Sequence, residues 1–338
     1  MRGSRASTGL WSALVAAFSV PVFLAGCNEG GSGPESGAGE RQIALIMGGP
    51  PSDDGWYMLG KESLDAVSEA LNARGRALVP PGKSIAPMVA NLVREGSAVV
   101  VAYGNEYRRE LDELTVRFPK VHFVQIGSSS AGPANYTGVE IHLNEAAYLA
   151  GIVAARVSEK GKVGAIAGSK FEAVDLAIEA FFAGARSVRP EIQTQAVYVG
   201  SWDDVAKAKA DALALIDGGA DVIFQNTNAA ARGVFEACVE RGVWAIGSNR
   251  NQNELPRFSD RILGTVVIDM RGVFRRAIEP VLSGGQVLGK LDARLDNGLV
   301  DFAASRAGEA AIDDQTREAV ARARKAIASG ELKLAEGS

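Results

Sequence analysis

The stretch Ala98-Val99-Val100-Val101-Ala102-Tyr103-Gly104-Asn105 decides the fold of this 338-residue chain. Its apolar residues run without alternation, which is typical of a strand in a parallel sheet that is covered on both faces. A turn with glycine follows, and then an amphipathic helical pattern over Tyr107–Arg117. A strand followed by a helix is the unit from which parallel α/β layers are built.

The same alternation of strand and helix repeats on both sides of this unit, from Arg41 onward. Short apolar runs predict the strands, and amphipathic stretches between them predict the helices. The predicted strands are Gln42–Met47, Ala98–Tyr103, His122–Ile126, Val163–Ala167, Gln195–Val199, Val222–Gln225, Val243–Ile246 and Leu263–Ile268, and the predicted helices are Trp56–Ala73, Ile85–Glu95, Tyr107–Arg117, Glu145–Val157, Val174–Val188, Asp204–Asp217, Ala229–Arg241 and Arg271–Leu282.

These strands are too many for one small sheet, and the length of the chain suggests about two domains. We expect the chain to cross between two lobes near Gly138–Asn144, near Val267–Asp269 and within Ala293–Asp301. The predicted fold is therefore α/β, of the type I periplasmic-binding kind, with two doubly wound lobes and three hinge crossovers. The predicted N-terminal lobe comprises residues 41–142 plus 268–292, and the predicted C-terminal lobe comprises residues 143–267 plus 293–338.

The first forty residues have the pattern of an export and anchoring segment. Arg2 and Arg5 precede an apolar run over Leu10–Leu24, which has the length of a signal peptide and is short for a membrane span. The tetrad Leu24-Ala25-Gly26-Cys27 predicts a lipoprotein signal over residues 1–27 with Cys27 as the lipidated residue; an ordinary signal peptide with an incidental cysteine is the alternative. Residues 28–40 predict a flexible linker, so we expect an anchor on the extracytoplasmic side of a membrane, in the periplasm or on the outer cell surface.

Charge and composition argue against several classes of function. A formal net charge of −4 offers no basic field for nucleic acid. Cys238 lies in a helical pattern and is predicted to be a buried thiol, and neither His122 nor His142 has a partner at metal-ligand spacing. Acidic residues are scattered over several loops, and no dinucleotide or phosphate-loop motif occurs. We therefore expect no metal, no cofactor and no enzymatic activity.

Polar and aromatic residues follow the predicted strands, where ligands bind in open α/β sheets. Trp56 and Trp202 stand in Gly- and Asp-rich loops of different lobes, where apolar bulk has no local reason to be. We expect them to stack on the two faces of a flat heteroaromatic ring, whereas Trp244 lies inside a strand and is predicted to pack in the core. The predicted ligand-binding residues are Asp53, Trp56, Tyr103, Asn105, Phe171, Trp202, Asn228, Ser248 and Asp269.

Several of these side chains have an alternative role in the fold. Asp and Asn at the start of a helix satisfy free backbone N–H groups, so Asp53, Asp54 and Asn228 are either helix caps or ligand contacts. Asp269 lies at a predicted crossover and either contacts the ligand or bonds hinge amides. Arg250 lies near the site and either pairs with an anionic ligand group or points to solvent.

At these residues the chain resembles the basic membrane protein (BMP) family of bacterial lipoproteins. These are substrate-binding subunits of ABC transporters related to the purine nucleoside receptor. The resemblance covers nearly all of Arg41–Ala304 and depends on three segments taken together. They are Glu145-Ala146-Ala147-Tyr148-Leu149-Ala150-Gly151, Leu215-Ile216-Asp217-Gly218-Gly219-Ala220-Asp221-Val222-Ile223, and Gly233-Val234-Phe235-Glu236-Ala237 followed by Gly242-Val243-Trp244-Ala245-Ile246-Gly247.

The resemblance implies a monomeric receptor that captures a small ligand between its lobes and delivers it, unchanged, to an ABC-transporter permease. Gly49–Trp56 and Gly200–Asp203 look like the branch associated with free purine bases such as adenine. The nucleoside branch usually has a Phe-Asn pair after its first loop, where this chain has Gly55-Trp56. It also has an acidic residue that grips ribose, where this chain has Ser248-Asn249.

The resemblance therefore implies a purine base or a related flat heterocycle as the ligand, with a nucleoside as the alternative. A lipoprotein of the same fold that senses its ligand and regulates another protein is the alternative function. A nucleoside-processing enzyme is the less favoured third function, because hydrolysis needs a carboxylate cluster or a metal that activates water.

Overall fold

The structure is a computed structural model that describes residues 41–337. The predicted signal peptide, its Cys27 and the linker at 28–40 lie outside the described residues. Every helix within the described range is too short or too polar to cross a membrane.

The first sheet joins the N-terminal part of the described chain to one strand from near its end. Its six strands lie in the order β11-β5-β4-β3-β1-β2, and every pair is parallel. The strands are β1 (Arg41–Met47), β2 (Ala73–Leu78), β3 (Ser97–Tyr103), β4 (His122–Ile126), β5 (Tyr136–Ile141) and β11 (Lys290–Ala293).

The second sheet also has six strands, in the order β12-β10-β9-β8-β6-β7. Its pairs are parallel except that β12 runs antiparallel to β10 at the edge. The strands are β6 (Lys162–Ala167), β7 (Gln193–Tyr198), β8 (Val222–Asn226), β9 (Trp244–Asn249), β10 (Ile262–Ile268) and β12 (Val300–Ala304).

Helices follow most strands, as parallel sheets require, because a parallel pair needs a crossover connection. Short 3₁₀ turns at Asn105–Tyr107, Asn228–Ala230 and Ser259–Arg261 lie between longer elements. The α-helices are α1 (Trp56–Ala70), α2 (Ala86–Arg94), α3 (Arg108–Arg117), α4 (Leu143–Val157), α5 (Glu172–Val188), α6 (Val205–Asp217), α7 (Ala231–Arg241), α8 (Met270–Ser283), α9 (Arg306–Ala311) and α10 (Asp314–Ala328).

The chain passes between the two sheets at three places: from β5 to α4, from β10 to α8, and from β11 to β12. Two sheets with these passages confirm the predicted fold class. Glu145 ties the first passage to the third, because its carboxylate accepts hydrogen bonds from Arg294 Nη1 and from the Leu295 amide, both at 2.7 Å. The residue limits given above for the lobes stay a prediction.

Sequence patterns missed β2, β5, β11 and β12, and they carried the first helix to Ala73, whereas it ends at Ala70. β2, β11 and β12 are edge strands, and β2 carries two arginines and is half-buried along most of its length. An edge strand has one neighbour and needs less apolar surface, so its periodicity is weak. No elements were predicted after Leu282, where β11, β12, α9 and α10 lie.

Candidate functional site

A cavity of about 500 Å³ lies between the two sheets, among residues that end strands of both. Tyr103 and Ile126 end strands of the first sheet, and Asn226, Asn249 and Ile268 end strands of the second. This is the edge at which open α/β sheets bind ligands. The volume is within the range of small-molecule sites, about 300–1,000 Å³.

The structure brings most of the predicted ligand-binding residues to this cavity and places three elsewhere. The predicted residues that line the cavity are Trp56, Tyr103, Asn105, Phe171, Trp202 and Asn228. The residues that the structure does not bring to its lining are Asp53, Ser248 and Asp269.

The first aromatic wall is Trp56, at the first position of α1. Its indole stacks on the ring of Tyr103, with ring centroids 4.4 Å apart and an interplanar angle of 30°. Tyr103 is fully buried at the end of β3, and its far side meets Phe274 edge-on at 6.0 Å. One face of Trp56 is therefore held by the core, and the residue also lines the cavity.

The second aromatic wall is Trp202, in the loop between β7 and α6. Gly168, just after β6, allows the indole to lie on the backbone: a Cβ at that position would be 2.2 Å from the Trp202 ring. Phe171 stands beside it, with centroids 5.8 Å apart at 60°. Phe171 is 45% exposed, which is unusual for so large an apolar side chain, and it also lines the cavity.

Asp53 holds the start of α1 and does not reach the cavity. Its buried carboxylate accepts hydrogen bonds from the amides of Gly55 (3.1 Å), Tyr57 (2.9 Å) and Met58 (2.9 Å). Three donors satisfy both oxygens, so the helix-cap alternative describes this residue. Asp53 thereby fixes the position of Trp56, which lies within the same turn.

Asp269 and Ser248 also have roles within the fold. Asp269 is exposed at the start of α8, where its Oδ1 accepts from the Gly272 amide at 2.9 Å. Ser248 is 3% exposed, and its amide donates to Gln252 Oε1 at 3.0 Å. Both residues lie at strand ends, as predicted. The Asp269 carboxylate caps α8, and the Ser248 hydroxyl lies 3.5 Å from Oδ1 of Asn226, so Ser248 contacts a lining residue without itself being part of the lining.

Sequence reasoning missed an amide pair formed by Asn226 and Asn249, which end the neighbouring strands β8 and β9. Asn249 Nδ2 donates to Asn226 Oδ1 at 3.3 Å, and both side chains line the cavity. Asn249 has a left-handed backbone, with φ 65°. Such a conformation is sparsely populated by residues other than glycine and is often found at functional sites. Their signal in the sequence was their place beside Asn228 and Ser248.

The charged side chains that line the described cavity are acidic or imidazole groups, and neither lysine nor arginine is among them. Two of the carboxylates form ion pairs with basic residues that do not line the cavity. Glu140 pairs with Lys290 at 2.7 Å, and Glu336, in the C-terminal tail, pairs with Arg294 at 2.7 Å. The full acidic set is Glu106, Glu140, Glu172 and Glu336.

In the folded protein, carboxylates lie close to the His142 imidazole. Its Nε2 lies 3.0 Å from Asp292 Oδ1 and 3.8 Å from Glu140 Oε2. The statement that neither histidine has a partner at metal-ligand spacing is therefore wrong for His142, because β5 and β11 are neighbours in the sheet. The ammonium of Lys290 bonds both carboxylates, at 2.7 and 3.1 Å, and compensates their charge.

Two polar contacts join the lobes, and the first of them lies at the cavity. Asn228 Oδ1 accepts from the Trp56 amide at 2.8 Å, so Asn228 bridges to α1 instead of capping its own helix. Arg250 forms a bidentate pair with Glu62 of α1, with nitrogen–oxygen distances of 3.0 and 2.9 Å. Arg250 thus faces a carboxylate of the other lobe, which neither of the two alternatives for it had included.

We expect Arg250→Gln to weaken ligand binding by a few fold, because the bidentate pair links the two lobes and separation of the lobes would break it. The effect is small because the pair is partly exposed, and such pairs contribute roughly 0.2–1 kcal/mol. Arg232→Gln is the matched control, since it breaks a pair with Glu236 within α7. Calorimetric titration measures the ligand affinity of both variants. Equal affinities of Arg250→Gln and Arg232→Gln would show that the Arg250 pair has no part in closure.

The comparisons with known proteins agree with this geometry. Residues 40–336 match the family model for PnrA-like ABC transporter substrate-binding proteins. The chain is 27% identical over 237 residues to the purine-binding protein BAB2_0673 of Brucella abortus, which covers 69% of this chain and 66% of that protein. It is 29% identical over 236 residues to the ABC transporter nucleoside-binding protein BmpA of Lactococcus lactis, covering 63% and 64%.

Solved structures agree in fold. An ABC transporter solute-binding protein from Aeropyrum pernix K1 superimposes with a TM-score of 0.79 at 18% identity, over 88% of this chain and 94% of that one. The matched segments span about two thirds of the length of the two curated relatives. Because the family model covers almost all of the described residues, the chain belongs to the family of PnrA-like ABC transporter substrate-binding proteins, as its resemblance to the basic membrane proteins predicted.

Proposed function

We propose that this protein is the receptor of an ABC importer and that it binds a purine base, or a related flat heterocycle, between its lobes. The observation that carries the proposal is the pair of tryptophans in one cavity. Trp56 and Trp202 come from different lobes, and each has one ring face supported by its own lobe, by Tyr103 and by Gly168. A planar ring between two such platforms gains stacking on both faces.

The ligand in this proposal extends to nucleosides but favours free bases. Among the relatives, one is named as purine-binding and another as nucleoside-binding. At the end of β9, where ribose would need a carboxylate, this chain has Ser248 and Asn249. The amides of Asn226, Asn228 and Asn249 supply directional donors and acceptors for ring nitrogens.

The proposed mechanism is closure of the two lobes around the ligand. One lobe contributes Trp56, Tyr103 and Asn105, and the other contributes Trp202 and Asn228. Only the closed form makes both sets of contacts, so the ligand shifts the population toward it. The permease would recognise the closed form, and the ligand would leave chemically unchanged, because no step in this mechanism breaks a bond.

The proposal includes a lipid anchor at Cys27 and a position on the extracytoplasmic side of a membrane. It is supported by the Leu24-Ala25-Gly26-Cys27 tetrad and by the polar residues at 28–40 that follow. Mass analysis of the protein from the membrane fraction tests it, because an unmodified Cys27, or cleavage elsewhere, would contradict the anchor.

We expect purine bases to raise the melting temperature in a thermal-shift series of purines, nucleosides and pyrimidines. A ligand at a hundred times its Kd stabilises the folded state by about 2.7 kcal/mol. Chromatography of the recovered ligand should find it unchanged. If no purine or nucleoside stabilises the protein, the proposed ligand class is wrong. If free base is released from nucleosides at catalytic rates, the receptor function is wrong.

A further inference from the structure

Glu106 is a cavity residue that the sequence analysis did not select. It lies in the 3₁₀ turn Asn105–Tyr107, directly after β3, in the same lobe as Trp56. Its side chain is exposed and lines the cavity. Unlike Glu140 and Glu336, it has no ion pair with any lysine, arginine or histidine of residues 41–337.

The carboxylate of Glu106 accepts hydrogen bonds from the Tyr107 hydroxyl and from its own backbone amide, but it has no cationic partner among the described residues. The Glu106 side chain is accessible from the cavity, but neighbouring residues remove part of its water shell. This desolvation raises the pKa of Glu106 above its usual value. Burial, and then the nearby charge of Glu106, raise the pKa of the Tyr57 hydroxyl. A ligand that donates hydrogen bonds to Glu106 would offset this desolvation.

We propose that Glu106 is a specificity-determining residue that selects purines with two adjacent N–H donors on one ring edge, as in guanine. The inference rests on the proposed function, since it requires a purine in this cavity. A carboxylate offers two acceptor oxygens side by side, and the N1–H and 2-amino groups of a 2-amino-6-oxopurine match them in a bidentate pair.

Other purines fit this carboxylate less well. Hypoxanthine has the N1–H but lacks the 2-amino group, so it keeps one hydrogen bond of the two. Adenine has its amino group next to the N1 lone pair, which would face a carboxylate oxygen and be repelled. Adenine was the base that the family resemblance suggested, so the inference changes the expected preference within the purines.

The other residues that line the cavity disfavour phosphorylated ligands. The described lining has no lysine or arginine, and the nearby Lys290 and Arg294 are already paired with Glu140 and Glu336, so a phosphate group would meet no free cation there. Asn226 and Asn249 form an uncharged pair on the other lobe and can bond a ring edge without preferring an ionised ligand. The inferred ligand class is therefore an unphosphorylated 2-amino-6-oxopurine.

Calorimetry with guanine, hypoxanthine and adenine on the wild type, Glu106→Gln and Glu113→Gln tests the inference. Glu113 is exposed on α3 outside the cavity lining, and its substitution is the same chemical change. We expect the wild type to bind guanine about tenfold or more tighter than the other two bases. In Glu106→Gln, guanine affinity should fall roughly ten- to a hundredfold, whereas adenine should hold or gain, because Gln pairs with the donor and acceptor of adenine.

The possible results distinguish the role of Glu106 from purine binding itself. Equal guanine affinities in the wild type and in Glu106→Gln would overturn the role of Glu106 and leave purine binding intact. A wild type that prefers adenine would overturn the inferred ligand class without the use of any variant. A wild type that binds no purine would overturn the proposed function, and the inference would fall with it. Unchanged binding in Glu113→Gln is the expected control.

Discussion

Trp202→Ala and Trp56→Ala are each expected to weaken purine binding by roughly ten- to a hundredfold. Removing one aromatic face from a stacked base costs about 1–3 kcal/mol, and 1.4 kcal/mol corresponds to about a tenfold change in Kd. The two residues act from different lobes, so each substitution removes one wall of the same cavity. Calorimetric titration measures the loss directly.

Phenylalanine at either position should restore much of the affinity, because the ring face contributes more than the indole N–H. Trp244→Ala is the control: Trp244 begins β9, is half-buried beside Arg261, and is outside the cavity lining. Its substitution should lower stability and leave affinity unchanged. Normal binding by folded Trp56→Ala and Trp202→Ala would exclude the stacking site, and the proposed ligand class would lose its main support.

Gly151→Ala is expected to lower the melting temperature by about 2 °C or more, although alanine favours helices. A Cβ at Gly151 of α4 would lie 1.9 Å from the carbonyl oxygen of Phe181 on α5, so the helices must separate. Overpacking of this kind costs about 1–3 kcal/mol and occasionally more, whereas the gain in helix propensity is about 1 kcal/mol. Because the obstacle is backbone, which cannot rotate away, the clash should outweigh the gain.

Gly184→Ala tests the same contact from the other side, since a Cβ there would lie 2.0 Å from the Tyr148 carbonyl oxygen. Gly82→Ala is the matched control, because no heavy atom lies within 4 Å of a Cβ at that position. Thermal melts of the three variants make the comparison. If Gly151→Ala and Gly82→Ala melt at the same temperature, close approach of α4 and α5 is not what requires glycine.

These contacts explain why particular residues occur in the segment Glu145–Gly151, on which the family resemblance partly depends. Glu145 joins two hinge passages through Arg294 and the Leu295 amide. Six residues later, Gly151 permits the close approach of α5. Both demands are placed on one helix that is buried from Leu143 to Ala155. A motif recognisable in sequence therefore reflects the hinge and the core of one lobe, and not the ligand.

Local sequence was sufficient to predict features that depend on a single strand, helix or loop. Continuous apolar runs predicted the central strands, because a strand covered on both faces has to be apolar throughout. Cys238 is buried as its helical pattern predicted. Trp56 and Trp202 were identified as cavity residues because a large ring in a polar loop has no local packing to explain it. These features depend on few residues, all close together in the chain.

Tertiary structure alone decided which polar groups remain for a ligand. Arg250 and Glu62 are 188 residues apart in the chain, and Arg294 and Glu145 are 149 apart, so no local pattern could pair them. Asp53 was predicted as either a ligand contact or a helix cap, and the structure decides between the two, because three backbone amides of the same turn occupy its carboxylate. Glu106 remained without a cation. Hydrogen bonds and ion pairs act over a few ångströms in space, so the folded arrangement of the chain determines which charged side chains have an ionic partner and which face the cavity without one.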